Sequence, residues 1–128
     1  MEKNKNNCVV LIVDDDNDLC RILEFVITNK CSVHSEHTIR DAENYLSCRK
    51  PDIIFLDNSL PDGSGIKSIK NIHSLYPDVK IVLMTSDTTE GLQEKAIRDG
   101  AVKFIGKPFK AAVINELIMT LCPELRAA

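Results

Sequence analysis

Carboxylates, a hydroxyl and an ammonium group stand in this chain where short apolar runs stop. Val13 gives way to Asp14-Asp15-Asp16, Leu56 to Asp57, Met84 to Thr85-Ser86, and the run ending at Ile105 is followed by Lys107-Pro108. A charge at the end of a buried strand is costly unless something pairs with it, so each position needs either water or a chemical role. Brought together, Asp14, Asp15 and Asp57 make an oxygen-rich pocket suited to a hard divalent cation, Mg2+ or Mn2+. Such an ion takes one or two carboxylates, a carbonyl and waters. Like charges about 4 Å apart cost on the order of 4 kcal/mol at an effective dielectric of about 20, so a metal ion or the ammonium of Lys107 has substantial repulsion to relieve. A carboxylate in that setting is also a nucleophile for phosphorus. Its attack needs a divalent cation and a positive side chain to offset charge on the equatorial oxygens, and little further covalent help.

These groups can act together only if the chain brings the ends of its apolar runs to one rim. The 128 residues are 44% hydrophobic and 27% charged, which suits one globular domain with a single core. Short apolar runs alternate with segments whose apolar residues recur at helical spacing, and the alternation repeats five times with no long linker. Strands are expected at Cys8-Val13, Cys31-Ser35, Ile53-Leu56, Lys80-Met84 and Val102-Ile105. Their Val/Ile/Leu continuity implies burial on both faces and a parallel sheet. Helical stripes run through Leu19, Ile22, Leu23, Val26 and Ile27, through Ile39, Ala42 and Leu46, and through Ile66, Ile69 and Ile72, the last ended by Tyr76-Pro77. A weaker stripe, Leu92, Ala96 and Ile97, closes at Asp99-Gly100. The final helix, Lys110 to Cys122, carries Val113, Ile114, Leu117, Ile118 and Leu121. Right-handed crossovers make the simplest solution a flavodoxin-like, doubly wound α/β fold: a five-stranded parallel sheet, (βα)5, in strand order 2-1-3-4-5. Function is then expected beyond the carboxyl ends of the strands.

Composition excludes some classes. The net charge is -3 and the Lys and Arg residues form no run, so nothing marks a nucleic-acid groove or an anionic membrane surface. The five cysteines, Cys8, Cys20, Cys31, Cys48 and Cys122, show no CxxC or Cys/His metal spacing and are expected to be reduced core thiols of a cytoplasmic protein. The polar start, residues 1–7, reads as a flexible tail. The apolar run after it is too short for a signal peptide core or a membrane span.

Over nearly the whole chain these features resemble the receiver domain of a two-component response regulator. The resemblance lies in the acidic pair Asp14-Asp15, Asp57 after an apolar strand, LPDGSG at 60–65, Thr85 followed by the small Ser86, and KPF at 107–109. It implies that Asp57 is the phosphoacceptor, Asp15 a direct metal ligand and Asp14 a ligand acting through water. The main-chain carbonyl of Ser59 completes the protein's share of the metal sphere. Lys107 would pair with Asp57 and then with its phosphoryl group, and Thr85 would supply a hydroxyl that moves to a phosphoryl oxygen. Phe104 occupies the aromatic switch position, without the tyrosine hydroxyl found there in many relatives, and the Lys107-Pro108 bond is implied to be cis. The implied function is a phosphorylatable switch that assists its own phosphorylation and dephosphorylation without being an enzyme in the ordinary sense. Its partners would be a sensor histidine kinase or phosphotransfer protein, and an output partner or second copy meeting the fourth helix, fifth strand and fifth helix. Residues 1–128 are read as one receiver domain with no output domain, either stand-alone or part of a longer regulator.

Rival readings of the same residues are weaker. A haloacid-dehalogenase-like, Mg-dependent phosphatase would use Asp14-x-Asp16, but Asp18 stands where Thr or Val is needed and Asp57 is left unexplained. A flavodoxin would need a phosphate loop after the first strand, where three carboxylates would repel a phosphate. An EF-hand would put Leu19 at its glycine position. Asp16 and Asp18 are expected to cap a helix. His34, His37 and His73 have no ligand spacing and are expected to be surface or satisfied histidines. Ala112 and Met119 are expected on the outer face of the last helix, where they would give Phe104 a cover with little charge.

Overall fold

Successive residues of a strand point to opposite faces, so runs that are apolar throughout build a sheet that must be covered twice. The computed structural model describes residues 8–27, 30–123 and 125. Its elements are β1 (Cys8–Val13), α1 (Asn17–Ile27), β2 (Cys31–Glu36), α2 (Ile39–Cys48), β3 (Ile53–Asp57), β4 (Ser59–Leu60), β5 (Gly63–Ser64), α3 (Gly65–Leu75), β6 (Lys80–Thr85), α4 (Glu90–Asp99), β7 (Lys103–Gly106) and α5 (Ala111–Leu121). The main sheet is parallel throughout, in the order β2-β1-β3-β6-β7. Counted over its five strands this is the expected 2-1-3-4-5, flavodoxin-like order. The tail expected at residues 1–7 lies outside the described residues.

Alternation along the strands divides the core in two. Val10, Ile12, Phe55, Val82 and Met84 pack with Leu23 and Ile27 of α1 and Ile114 and Ile118 of α5. Leu11, Val13, Ile54, Leu56 and Leu83 pack on the other side with Leu46 of α2, Ile69 and Ile72 of α3 and Ala96 of α4. Helix α4 ends at Gly100, whose φ of 128° suits glycine, and a Cβ there would lie 2.6 Å from the His73 ring. Among the described residues no helix is long and apolar enough to cross a membrane.

Several expectations need correction. Val102 precedes β7 and is 44% exposed, because the ladder with β6 starts at Lys103. Ile22 is 58% exposed: α1 buries only the narrow arc of Cys20, Leu23 and Ile27 against the sheet, and Ile22 falls outside it. Ile97 and Val113 are likewise exposed at the margins of their stripes. The short antiparallel hairpin β4–β5 was not foreseen, since two-residue strands carry no periodicity. The cysteines are not all reduced core thiols. Cys8 and Cys122 form a disulfide, Cys20 and Cys31 are buried thiols, and Cys48 is exposed. Apolar spacing placed Cys8 and Cys122 in the core, but it could not show that the end of α5 returns to the start of β1.

Candidate functional site

The rim at the carboxyl ends of the strands is built from local turns. The Asp14 amide donates to the Glu36 carbonyl at 3.1 Å, extending the β1–β2 ladder by one residue, and the side chain, only 1% exposed, turns toward the rim. Its Oδ1 accepts from the Asp16 amide at 2.9 Å, turning the chain toward α1. Asp16 Oδ1 accepts from the amides of Asp18 and Leu19, at 3.0 and 3.2 Å, so Asp16 is the helix cap expected of it. That role takes Asp16 away from the pair the rival phosphatase would require. Asp15, between the two, is exposed.

Asp57 ends β3 with 5% exposure. Next to it Asn58 fixes the following turn: its amide donates to the Met84 carbonyl, and its own carbonyl and Oδ1 accept from the amides of Gly65 and Ile66, each at 2.9 Å. The hairpin β4–β5 therefore returns the chain directly under Asp57. A Cβ on Gly65 would lie 2.4 Å from the Asp57 carbonyl oxygen, so this close approach requires glycine.

Lys107 closes the site. Its amide donates to the Thr85 carbonyl at 2.8 Å, and its bond to Pro108 is cis, as the resemblance implied. The ammonium lies 2.7 Å from Asp14 Oδ2 and 2.7 Å from Asp57 Oδ1. Asp57 Oδ2 accepts from the Ser59 amide at 3.2 Å. Burial works against the Lys107 charge, but its bonds to Asp14 and Asp57 outweigh that and hold its pKa above the ordinary 10.5. Asp57 is pushed above the ordinary 3.8, first by burial and then by the charge of Asp14; Lys107 and the Ser59 amide oppose this without cancelling it. One ammonium is thus shared by two buried carboxylates, and one of them is left poorly compensated. Ligand oxygens of Asp14, Asp15 and Asp57 lie within 4.8 Å of one another, a cluster that could hold a metal ion, and exposed Asp15 opens it to solvent.

Thr85 is 4% exposed, and its Oγ1 accepts from the Asp87 amide at 3.0 Å, so the hydroxyl here stabilises the turn after β6. Phe104 is half-buried and packs on the α2–α4 side of the core with Leu92. The groove beside it is more charged than expected, since Lys103 and Glu116 line it with Val113 and Leu117, and α4 next to it carries Glu90, Glu94 and Arg98. Ala112 is exposed and Met119 half-buried, because helical spacing turns Met119 partly under the helix. His34 is paired with Glu36 at 2.6 Å and stacked on Tyr45.

Lys107 was expected to offset the acidic cluster and to pair with Asp57; its direct bond to Asp14, 93 positions away, adds a second partner. One partnership had no signal in the sequence: the two carboxylate oxygens of Asp62 accept from the Ile39 and Arg40 amides at 2.9 and 3.0 Å, and these bonds hold its pKa below the usual range. Asp62 caps α2 from a distance in sequence.

The pattern of the response regulator receiver domain matches residues 10–119. The chain is 34% identical to the chemotaxis protein CheY of Thermotoga maritima over 111 residues, covering 85% of this chain and 92% of CheY. It is 29% identical to the response regulator protein PilR of Pseudomonas aeruginosa over 111 residues, which is 86% of this chain and only 25% of PilR. Among solved structures, the beryllofluoride-activated NtrC4 receiver domain dimer superposes with a TM-score of 0.85 at 28% identity, covering 91% of this chain and 98% of that one. With that match lying over the fold and the acidic rim, the chain belongs to the response regulator receiver domains, the two-component signalling domains in which phosphorylation on aspartate is general.

Proposed function

We propose that Asp57 is the phosphoacceptor of a cytoplasmic signalling switch, taking a phosphoryl group from a phosphohistidine of a sensor histidine kinase or phosphotransfer protein. The observation that carries this is Lys107 Nζ, 2.7 Å from a carboxylate oxygen of both Asp14 and Asp57, with Asp15 in the same cluster. An Asp57 oxygen bonds to phosphorus, the donor's phosphorus–nitrogen bond breaks, and its electron pair stays on the leaving nitrogen. Asp15, Asp57, the Ser59 carbonyl and, through water, Asp14 would hold Mg2+ (or Mn2+), which would supply charge neutralisation for the phosphoryl oxygens. Lys107 moves from the carboxylate to a phosphoryl oxygen. The Thr85 hydroxyl gives up the Asp87 amide and donates to another. Each charge-assisted bond contributes roughly 1.5–3 kcal/mol, and reversing a two-state equilibrium from rare to dominant takes about 5.5 kcal/mol, so two such bonds are of the size required.

Output is assigned to the face formed by α4, β7 and α5. As Thr85 is drawn to the phosphoryl group, Phe104 turns into the space it leaves, because packed interiors do not tolerate such a void. The partner is an output protein or a second copy of this chain, and the dimeric state of the NtrC4 receiver domain supports including the second.

The test is labelling with acetyl phosphate and Mg2+, followed by mapping of the modified residue. One phosphoryl group per chain on Asp57 is expected, and none on Asp57→Asn. Full labelling of that variant, or many turnovers on phosphomonoesters, would overturn the assignment. Asp15→Asn should lose most of the rise in melting temperature that Mg2+ gives the unmodified protein.

A further inference from the structure

The layer between the sheet and helices α1 and α5 holds four cysteines, Cys8, Cys20, Cys31 and Cys122, none of which takes part in phosphoryl transfer. Cys8 opens β1 and Cys31 opens β2, and the two are register partners. Cys122 is the C-cap of α5. The disulfide from Cys8 to Cys122 spans 114 positions, with Cα atoms 6.8 Å apart, and so ties the end of the last helix to the first strand. Cys20 has a different job. It donates to the Asp14 carbonyl at 3.3 Å, at the end of the sheet that carries the acidic rim. Cys48 is exposed at the end of α2.

In a reducing compartment a disulfide of this kind is typically transient and redox-sensing rather than structural. On that ground, and resting on the cytoplasmic signalling function proposed above, we propose that Cys8 and Cys122 form a redox couple that sets how firmly α5 is held to the sheet. Oxidation is by a low-molecular-weight disulfide. One protein thiolate attacks it and releases one small thiol; the second protein thiolate then displaces the other. Two protein thiols are oxidised, the small disulfide is reduced to two thiols, and the protons pass from the former to the latter. Closing a loop of this length restricts the unfolded chain, so the oxidised form should melt higher by on the order of 10 °C. The pair lies at the amino-terminal end of β1, opposite the acidic rim, so labelling of Asp57 should not depend on it. The output face should, because Val113 and Leu117 of α5 line the groove beside Phe104.

The experiment uses the full chain carrying Cys48→Ser, equilibrated from both the oxidised and the reduced side in glutathione buffers of graded ratio. Thiols are counted by alkylation and mass, linked peptides are mapped, and melting is followed. Two thiols should disappear together, in a Cys8–Cys122 peptide, with the higher melting temperature, equal acetyl phosphate labelling and a changed beryllofluoride-dependent dimer or partner affinity. Cys122→Ser should show neither the linked peptide nor the shift, and Cys8→Val serves if that variant does not fold. Thiols that survive every buffer, a bond that survives equilibration with excess reduced glutathione, or a Cys8–Cys31 link would each overturn the couple. Equal output affinity in both redox states would overturn its connection to α5. Absence of phosphoryl labelling would count against the phosphoacceptor assignment and leave the thiol titration readable.

Discussion

Replacing Lys107 by methionine would remove the positive charge from the acidic rim while keeping most of the apolar stem. Lys107 Nζ is 2.7 Å from both Asp14 and Asp57. At an effective dielectric of about 20 each contact amounts to about 6 kcal/mol of Coulomb attraction, from which several kcal/mol of desolvation must be taken for each ion. The measurable quantity is the cost of leaving two carboxylates behind. Removing one partner of a buried pair costs about 3–5 kcal/mol, and because the Lys107 side chain is 21% exposed, solvent reduces this to about 2–4 kcal/mol. For a domain of this size that is a fall in melting temperature of roughly 10 °C at neutral pH.

The pH dependence gives the prediction its sign. The folded pKa of Lys107 is raised above 10.5, so its contribution is fully present below 10.5 and is lost as pH rises through the folded value. The folded pKa of Asp57 is raised above 3.8, first by burial, so Asp57 opposes folding progressively as pH rises from 3.8 through its folded value. In Lys107→Met nothing positive counters that opposition. The gap between the two proteins should therefore be small in acid, widen toward neutrality and close in strong alkali. Mg2+ should raise the melting temperature of the variant by more than that of the unmodified protein, since it replaces a missing cation. Thermal melts followed by circular dichroism from pH 4 to 11, with and without Mg2+, read all of this. Equal melting temperatures at pH 7, or a gap widest in acid, would refute the shared-ammonium account.

Four further substitutions probe other parts of the site. Asp62→Asn should lower the melting temperature at pH 7 by weakening the cap on α2; because its folded pKa is depressed, that contribution is present above 3.8 and lost as pH falls through the folded value, so the two proteins should converge in acid. Gly65→Ala places a methyl group 2.4 Å from the Asp57 carbonyl oxygen and should cost about 1–3 kcal/mol in urea unfolding while slowing acetyl phosphate labelling; an unperturbed variant would mean that the turn relaxes freely. Thr85→Ala loses the bond to the Asp87 amide, about 1 kcal/mol, and should weaken beryllofluoride-dependent partner or dimer affinity far more than labelling, as should Phe104→Ala; equal loss of both properties would point to a damaged site instead.

What could be seen in advance follows from which interactions are local and which are not. Cys8–Val13 and the apolar parts of β3 and β6, residues 53–56 and 80–84, declared themselves because a parallel strand covered on both faces must be apolar at consecutive positions; Asp57 and Thr85, the polar residues that end β3 and β6, extend each strand by one. β7 lies at a sheet edge, with half-exposed or exposed residues, and is displaced by one residue at both ends from the expected 102–105. The cap at Asp16 was visible because its partners, the Asp18 and Leu19 amides, are two and three positions away. The cap at Asp62 was not, because its partners lie more than twenty positions upstream on α2. The same distinction explains Cys8 and Cys122, and Ile22, whose exposure depends on how wide an arc α1 presents to the sheet.

Asp14, Asp57, Thr85 and Lys107 are also far apart in sequence, yet their meeting was foreseeable, because topology stands in for proximity. In a parallel sheet every strand ends on the same rim, and in the order β2-β1-β3-β6-β7 the three central strands are β1, β3 and β6. A polar residue that directly follows an apolar run on any of them is carried to one place whatever its position in the chain. What the topology leaves open is the choice of partner at that place. Lys107 had two carboxylates within reach and took both, and Thr85 took the Asp87 amide. Those choices depend on side-chain geometry at the scale of a hydrogen bond. They are also the contacts that phosphorylation would have to rearrange: an ammonium divided between two acids, and a hydroxyl held by a single neutral bond, can each move to a phosphoryl oxygen without first unmaking the core beneath them.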